Sequence, residues 1–279
     1  MFSLSAVTDR VSDLTGYSKL ENEDTEDAVI EFVTKDEYYG AIPEPIPANR
    51  VIPDWYRNLP GRVGGNEDSL QSTVKRCAPF MEAMTMGWII PLAGEVEFMA
   101  QSGRVEWKSD FKEELIDAHG MAQVGGEAFP NSDWPVLKFI NPWCIKVPDG
   151  YSALITSPFN RIEPLFQTFS GVVDVDSYFN NINAPFMWTG GDFEGVVEDG
   201  RPIVQVIPFK RGSMITDGIT RPMTEDESME KEKTRTELTS HKSMYRDRRW
   251  VHKKGSRNLP FDPDSEDGES GSSCPFHRS

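Results

Sequence analysis

Acid–base work in this chain falls to carboxylates. Its four histidines are dispersed, and it has no Gly-x-Ser-x-Gly elbow, no Gly-x-x-x-x-Gly-Lys phosphate loop and no His-x-Asp iron triad. Asp174 stands in the turn-prone run Gly171-Val172-Val173-Asp174-Val175-Asp176, where a carboxylate can accept a hydrogen bond and act as a base. The neighbouring pair Asp174 and Asp176 is no glycosidase signal, because close acid pairs are common in a chain with 45 Asp and Glu residues. Arg161 offers a forked donor of the kind that grips phosphate. Cys274 and His277 have Cys-x-x-His spacing, but two ligands do not make a zinc site, and no metal or other cofactor is expected. Cys77, Cys144 and Cys274 are scattered and odd in number, which reads as free thiols in a reducing compartment.

These residues need a scaffold, and its pattern is β. From Gly87 onward, WIIPLAGEVEFMA, RVEWK, VLKFINPWCIKVP, SALITS, FSGVVDVDSYF, APFMW and PIVQVIPF are short β-branched and aromatic runs separated by Gly, Pro, Asn and Asp. Strands at this spacing predict a mainly β sandwich or distorted barrel. The expected core domain, 72–222, opens with the run 72–86, which holds a short helix from about Pro79 and whose stripe of Cys77, Met81 and Met84 reads as core filling and not a redox site.

Four other segments flank that domain. Residues 1–27 read as a flexible acidic arm, and 28–71 as a strand, AVIEFV at 28–33, followed by a proline-rich strap. Prolines 43, 45, 47, 53 and 60 forbid a helix there, and Ile42, Ile46, Ile52, Trp55, Tyr56 and Leu59 favour a strap packed on the core over a polyproline ligand. Residues 61–72 read as a loop. A charged helix is expected over about 225–253, within a segment 223–254, with Thr224 and Glu227 as a capping box and Arg248, Arg249, Lys253 and Lys254 at its C-terminal end. Its apolar residues are dense only near Trp250 and Val251, so only the last turns have the means to dock firmly. Residues 255–279 read as a disordered acidic tail.

Composition narrows the function. A net charge of −16 repels phosphate backbones and anionic lipid, and no basic nucleic-acid-binding surface is evident. No apolar run reaches the roughly 18 residues of a membrane span and no leader is evident, so the expected location is the cytoplasm of a cell or virus-infected cell, with association with a virion also open.

The ordered strings GWIIPLAGEVEF, VPDGYSALITSPFNR, SGVVDVDSY and EDGRPIVQVIPFKR, over about 125 residues, resemble the successive motifs of the dUTPase and dCTP deaminase superfamily. The resemblance implies a β-clip fold, a distorted barrel of short strands, and a homo-oligomer, typically a trimer with sites at subunit boundaries. It implies that Asp174 meets a sugar hydroxyl and orients the attacking water, that Tyr178 stacks on deoxyribose, that Gln205 reaches a phosphate and that Arg201 is the basic residue of the same turn, with Arg161 as a forked donor beside the substrate. Each has a plainer alternative: Asp174 as a turn former, Tyr178 as core, Gln205 as a satisfied strand residue, and the arginines as surface charges.

The departures from that pattern are large. Gly87-Trp88-Ile89-Ile90 lacks the opening motif's Asp, Ser157-Pro158-Phe159-Asn160-Arg161 replaces an Arg-Ser-Gly loop, Tyr178 lies one residue late, and no Gly-rich closing tail follows. Phosphoryl chemistry works by positioning and charge neutralisation, so these losses favour a non-catalytic assembly or binding role, with a nucleotide or protein partner. The alternative is a Mg²⁺-dependent deoxynucleotide pyrophosphatase or deaminase-like enzyme centred on Asp174. The strings IPEPIPANRVIPDWYRNLP and INPWCIKVPDGYSALITSPFNR, among others, also resemble an uncharacterised protein family seen in phages and marine bacteria, which implies a lineage without a reaction.

Overall fold

Alternation builds the strands. In Val96-Glu97-Phe98-Met99-Ala100-Gln101 every second residue is buried, the period of a strand with one wet face. By contrast, Ile203, Val204, Gln205 and Val206 are buried in succession, as befits a strand covered on both faces. The computed structural model describes residues 28–64, 71–240, 245 and 249–251. The acidic arm 1–27 and the whole C-terminal tail 255–279 expected from sequence lie outside them.

The chain is mainly β, with many short strands in several sheets and few helices. A five-stranded antiparallel sheet has the order β13 (Gly171–Val173), β11 (Tyr151–Thr156), β16 (Pro202–Lys210), β5 (Trp88–Pro91) and β2 (Ile46–Pro47). A four-stranded sheet has the order β12 (Phe166–Thr168), β14 (Ala184–Trp188), β9 (Val136–Phe139) and β8 (Ile116–His119). Three strands, β15 (Phe193–Val197), β6 (Val96–Gln101) and β7 (Arg104–Lys108), form a third sheet. Two pairs complete the set: β1 (Glu31–Val33) with β10 (Cys144–Lys146), and β3 (Arg62–Val63) with β4 (Gln71–Ser72). Among the described residues, no sheet closes on itself as a barrel. The β3–β4 pair corrects the reading of 61–72 as loop throughout.

The main core is aromatic. Phe139 lies 4.1 Å from Phe186 and 4.9 Å from Phe166 between ring centroids, and Phe98 lies 5.2 Å from Trp188. Each such pair contributes about 0.5–1.5 kcal/mol beyond area burial. A second cluster of Ile52, Tyr56, Met81 and Met84 joins the proline strap to helix α2 (Ala78–Thr85). Its residues include α1 (Asp54–Arg57), a single helical turn that corrects the expectation of none in the strap. Proline is excluded from a helix interior but tolerated at its entrance, and Pro53 sits at the N-cap.

Between α2 and β5 the backbone turns at Gly87, with φ +69°. A Cβ there would lie 2.1 Å from the Val206 carbonyl oxygen, so glycine is required both by the turn and by the close approach of β16.

Helix α3 (Glu225–Ser240) begins with the expected reciprocal cap. The Glu227 amide donates to Thr224 Oγ1 at 3.3 Å, and the Thr224 amide donates to Glu227 Oε2 at 2.8 Å. No residue of α3 is buried. Beyond it the described residues resume around Trp250, which packs against the Ile52 cluster. Among the described residues no helix is long and apolar enough to cross a membrane.

Candidate functional site

The five residues singled out by sequence gather at opposite ends of β11. This strand pairs with β13 on one side and β16 on the other, so Ser152 lies opposite Phe209 and Thr156 opposite Gln205. Ser152 and Thr156 are four residue steps apart along the strand, about 13 Å.

Asp174 and Tyr178 belong to the Ser152 end. Asp174 follows β13, and its carbonyl oxygen accepts the amides of Ser177 at 3.1 Å and Tyr178 at 2.9 Å, closing the turn. Its exposed carboxylate accepts the Ser152 hydroxyl at 2.6 Å and lies 3.5 Å from Arg211 Nη1. Asp176 is the more deeply held acid. It accepts the Gly150 amide at 2.9 Å and both terminal nitrogens of Arg211, which also donates to the Tyr151 carbonyl. The Arg211 fork pulls the Asp176 carboxyl down to about 2. Tyr178 is half exposed, so it is no core residue, and its hydroxyl accepts from Asn180 at 3.2 Å.

Gln205, Arg161 and Arg201 belong to the other end, each with an intramolecular task. Gln205 is fully buried. Its Oε1 accepts the Phe159 amide at 2.7 Å, and its Nε2 donates to the carbonyls of Ala83 and Met86 at 3.0 and 2.7 Å. One amide thus joins β16, the end of α2 and the loop after β11. Arg161 reaches back to the strap, donating to the carbonyls of Val51 and Ala48. Asn160 makes the loop's turn at φ +56°, a conformation asparagine tolerates better than most residues, and its side chain donates to Phe80 O at 2.8 Å. Arg201 pairs with Glu163 at 2.7 Å.

Strap and loop enclose a cleft of about 990 Å³ that takes in Arg161 and Arg201 but not Asp174, Tyr178 or Gln205. Its apolar wall includes Pro53, Trp55, Pro158 and Pro164, and its floor carries the hydroxyls of Thr156 and Ser170, 2.7 Å apart. Four carboxylates, Asp54, Glu163, Glu198 and Asp199, outnumber its two arginines. That excess makes the cleft unfavourable for a triphosphate and favourable for a cation. Among the described residues no three of His, Cys, Asp and Glu stand together as a metal site, so a Mg²⁺ ion here would depend on oxygens from phosphate and water.

Sequence reasoning missed Arg211, Glu163 and Ser152. Arg211 had a local signal, a basic residue directly after a long buried strand, but its partner Asp176 is 35 positions away. Glu163 and Ser152 had none.

No family model matches the chain, and comparison with curated proteins gives no match. Among solved structures it is similar to the native dUTPase of EIAV, with 11% identity and a TM-score of 0.28, over 50% of this chain and 84% of that one. It is also similar to a mutant dUTPase from phage phi11 of S. aureus, a structure described for its coordination of a structural Mg(II) ion, with 10% identity and a TM-score of 0.30, over 71% of this chain and 99% of that one.

Proposed function

We propose that this protein is a non-catalytic binding module that engages a protein partner through the cleft between the proline strap and the loop 157–164, on a scaffold that also self-associates. The observation that carries the reading is Gln205. A glutamine that meets phosphate must offer its amide to solvent, whereas this amide is buried and spends both donors and its acceptor on backbone groups. Arg161 is similarly occupied by two carbonyls, and the Asp174 carboxylate stands a strand's length from the cleft. Within one chain, therefore, a base at Asp174 and a phosphate grip at the cleft do not meet on one substrate.

The test is direct. The purified protein, mixed with each deoxynucleoside triphosphate and Mg²⁺, shows neither turnover nor a ligand-induced rise in melting temperature. Turnover that disappears in Asp174→Asn overturns the reading and installs the nucleotide hydrolase alternative. Light scattering at micromolar concentration gives a mass above that of one chain; a monomer refutes the self-association.

A further inference from the structure

We infer that the cleft is a groove for an extended, basic and apolar peptide, and that its occupant is this chain's own sequence Lys253-Lys254-Gly255-Ser256-Arg257-Asn258-Leu259-Pro260-Phe261. The inference rests on the binding reading above: the segment covers the groove within its own chain, and a protein partner engages the groove in its place.

Position is the first argument. Trp250 packs against the cluster of Ile52, Tyr56, Met81 and Met84, and Ile52 is also a wall of the cleft. Trp55, another wall residue, meets Phe80 of that cluster's margin edge to face at 6.2 Å. The chain therefore arrives at Trp250 with the cleft one side chain away. The eleven residues from Val251 to Phe261 reach at most about 36–40 Å, ample for a groove that begins beside Trp250.

Chemistry is the second. Lys253, Lys254 and Arg257 complement Glu198 and Asp199, exposed acids on the cleft that have no ion pair among the described residues. Leu259-Pro260-Phe261 follows, matching the wall of Pro53, Trp55, Pro158 and Pro164.

Zero-length carbodiimide coupling of the full chain tests this, since it joins a lysine amine only to a carboxylate in contact. The Lys138–Asp117 pair, at 2.7 Å, is the internal reference. The expected result is a link from Lys253 or Lys254 to Glu198 or Asp199 within one chain, as read from a mixture of isotope-labelled and unlabelled protein. Its yield falls about tenfold or more in Leu259→Ser/Phe261→Ser, which keeps every amine and carboxylate but removes the apolar seat. The inference is overturned if the reference link forms without a link to the cleft, if the double variant links as well as the parent, or if the link joins two copies. None of these outcomes touches the binding reading, which the nucleotide assay decides separately.

Discussion

Replacing Gln205 separates a structural clamp from a ligand-binding residue. Gln205→Leu fills nearly the same volume but leaves the Phe159 amide and the carbonyls of Ala83 and Met86 without their partner. A buried polar group deprived of its hydrogen bond costs about 1–3 kcal/mol, and these three are partly buried, so the low end applies to each and the sum is about 3 kcal/mol. For a protein of this size that lowers Tm by about 6–12 °C. Gln205→Glu adds a diagnostic sign. A carboxylate still accepts from Phe159 but turns its second oxygen toward two carbonyls, so it destabilises more at about pH 7.5 than at about pH 5, where protonation restores one donor. Thermal and urea melts without ligand measure both variants. If Gln205→Leu melts within about 2 °C of the parent, the clamp carries no weight and the main argument against a phosphate-facing Gln205 fails.

Three further outcomes follow from the same geometry. Burial pushes the Tyr56 phenol up to about 12, so the folded state keeps a proton that the unfolded chain releases near 10. Stability is fully present below about pH 10 and falls as pH rises toward 12, by up to about 2.7 kcal/mol, and urea midpoints across that range show less loss in Tyr56→Phe. Arg211 holds the Asp176 carboxyl down to about 2, so its stabilisation is present above the unfolded value near 3.9 and is lost as pH falls through 2. Acid unfolding followed by circular dichroism is therefore shallower in Asp176→Asn over that window. Gly87→Ala drives a methyl into the Val206 carbonyl and forces a positive φ, so it costs more than about 3 kcal/mol, seen as loss of soluble folded protein or a large fall in Tm.

Local features were legible in sequence. The capping box of Thr224 and Glu227 was readable because its partners lie three residues apart, and the strands β6, β7, β11, β14 and β16 because alternation or a β-branched run marks each one. β8 and β12 were not. β8 follows Lys112-Glu113-Glu114-Leu115, residues with no strand preference, and β12 has only three residues. Their pairing is imposed by β9 and β14.

The sequence alone determined the acidic balance, the mainly β character, the turns and the residue types available for a site. It had no means of deciding which of those residues meet. Gln205 in Pro202-Ile203-Val204-Gln205-Val206 has the same neighbours whether its amide faces a phosphate or a helix end, and its partners lie 46 to 122 positions away. Only the packing of α2 and the loop after β11 against β16 used up that amide, and only the pairing of β11 with β13 and β16 set Asp174 a strand's length from the cleft. Hydrogen bonding is short-ranged while chain distance is not, so the assignment of partners belongs to the tertiary structure.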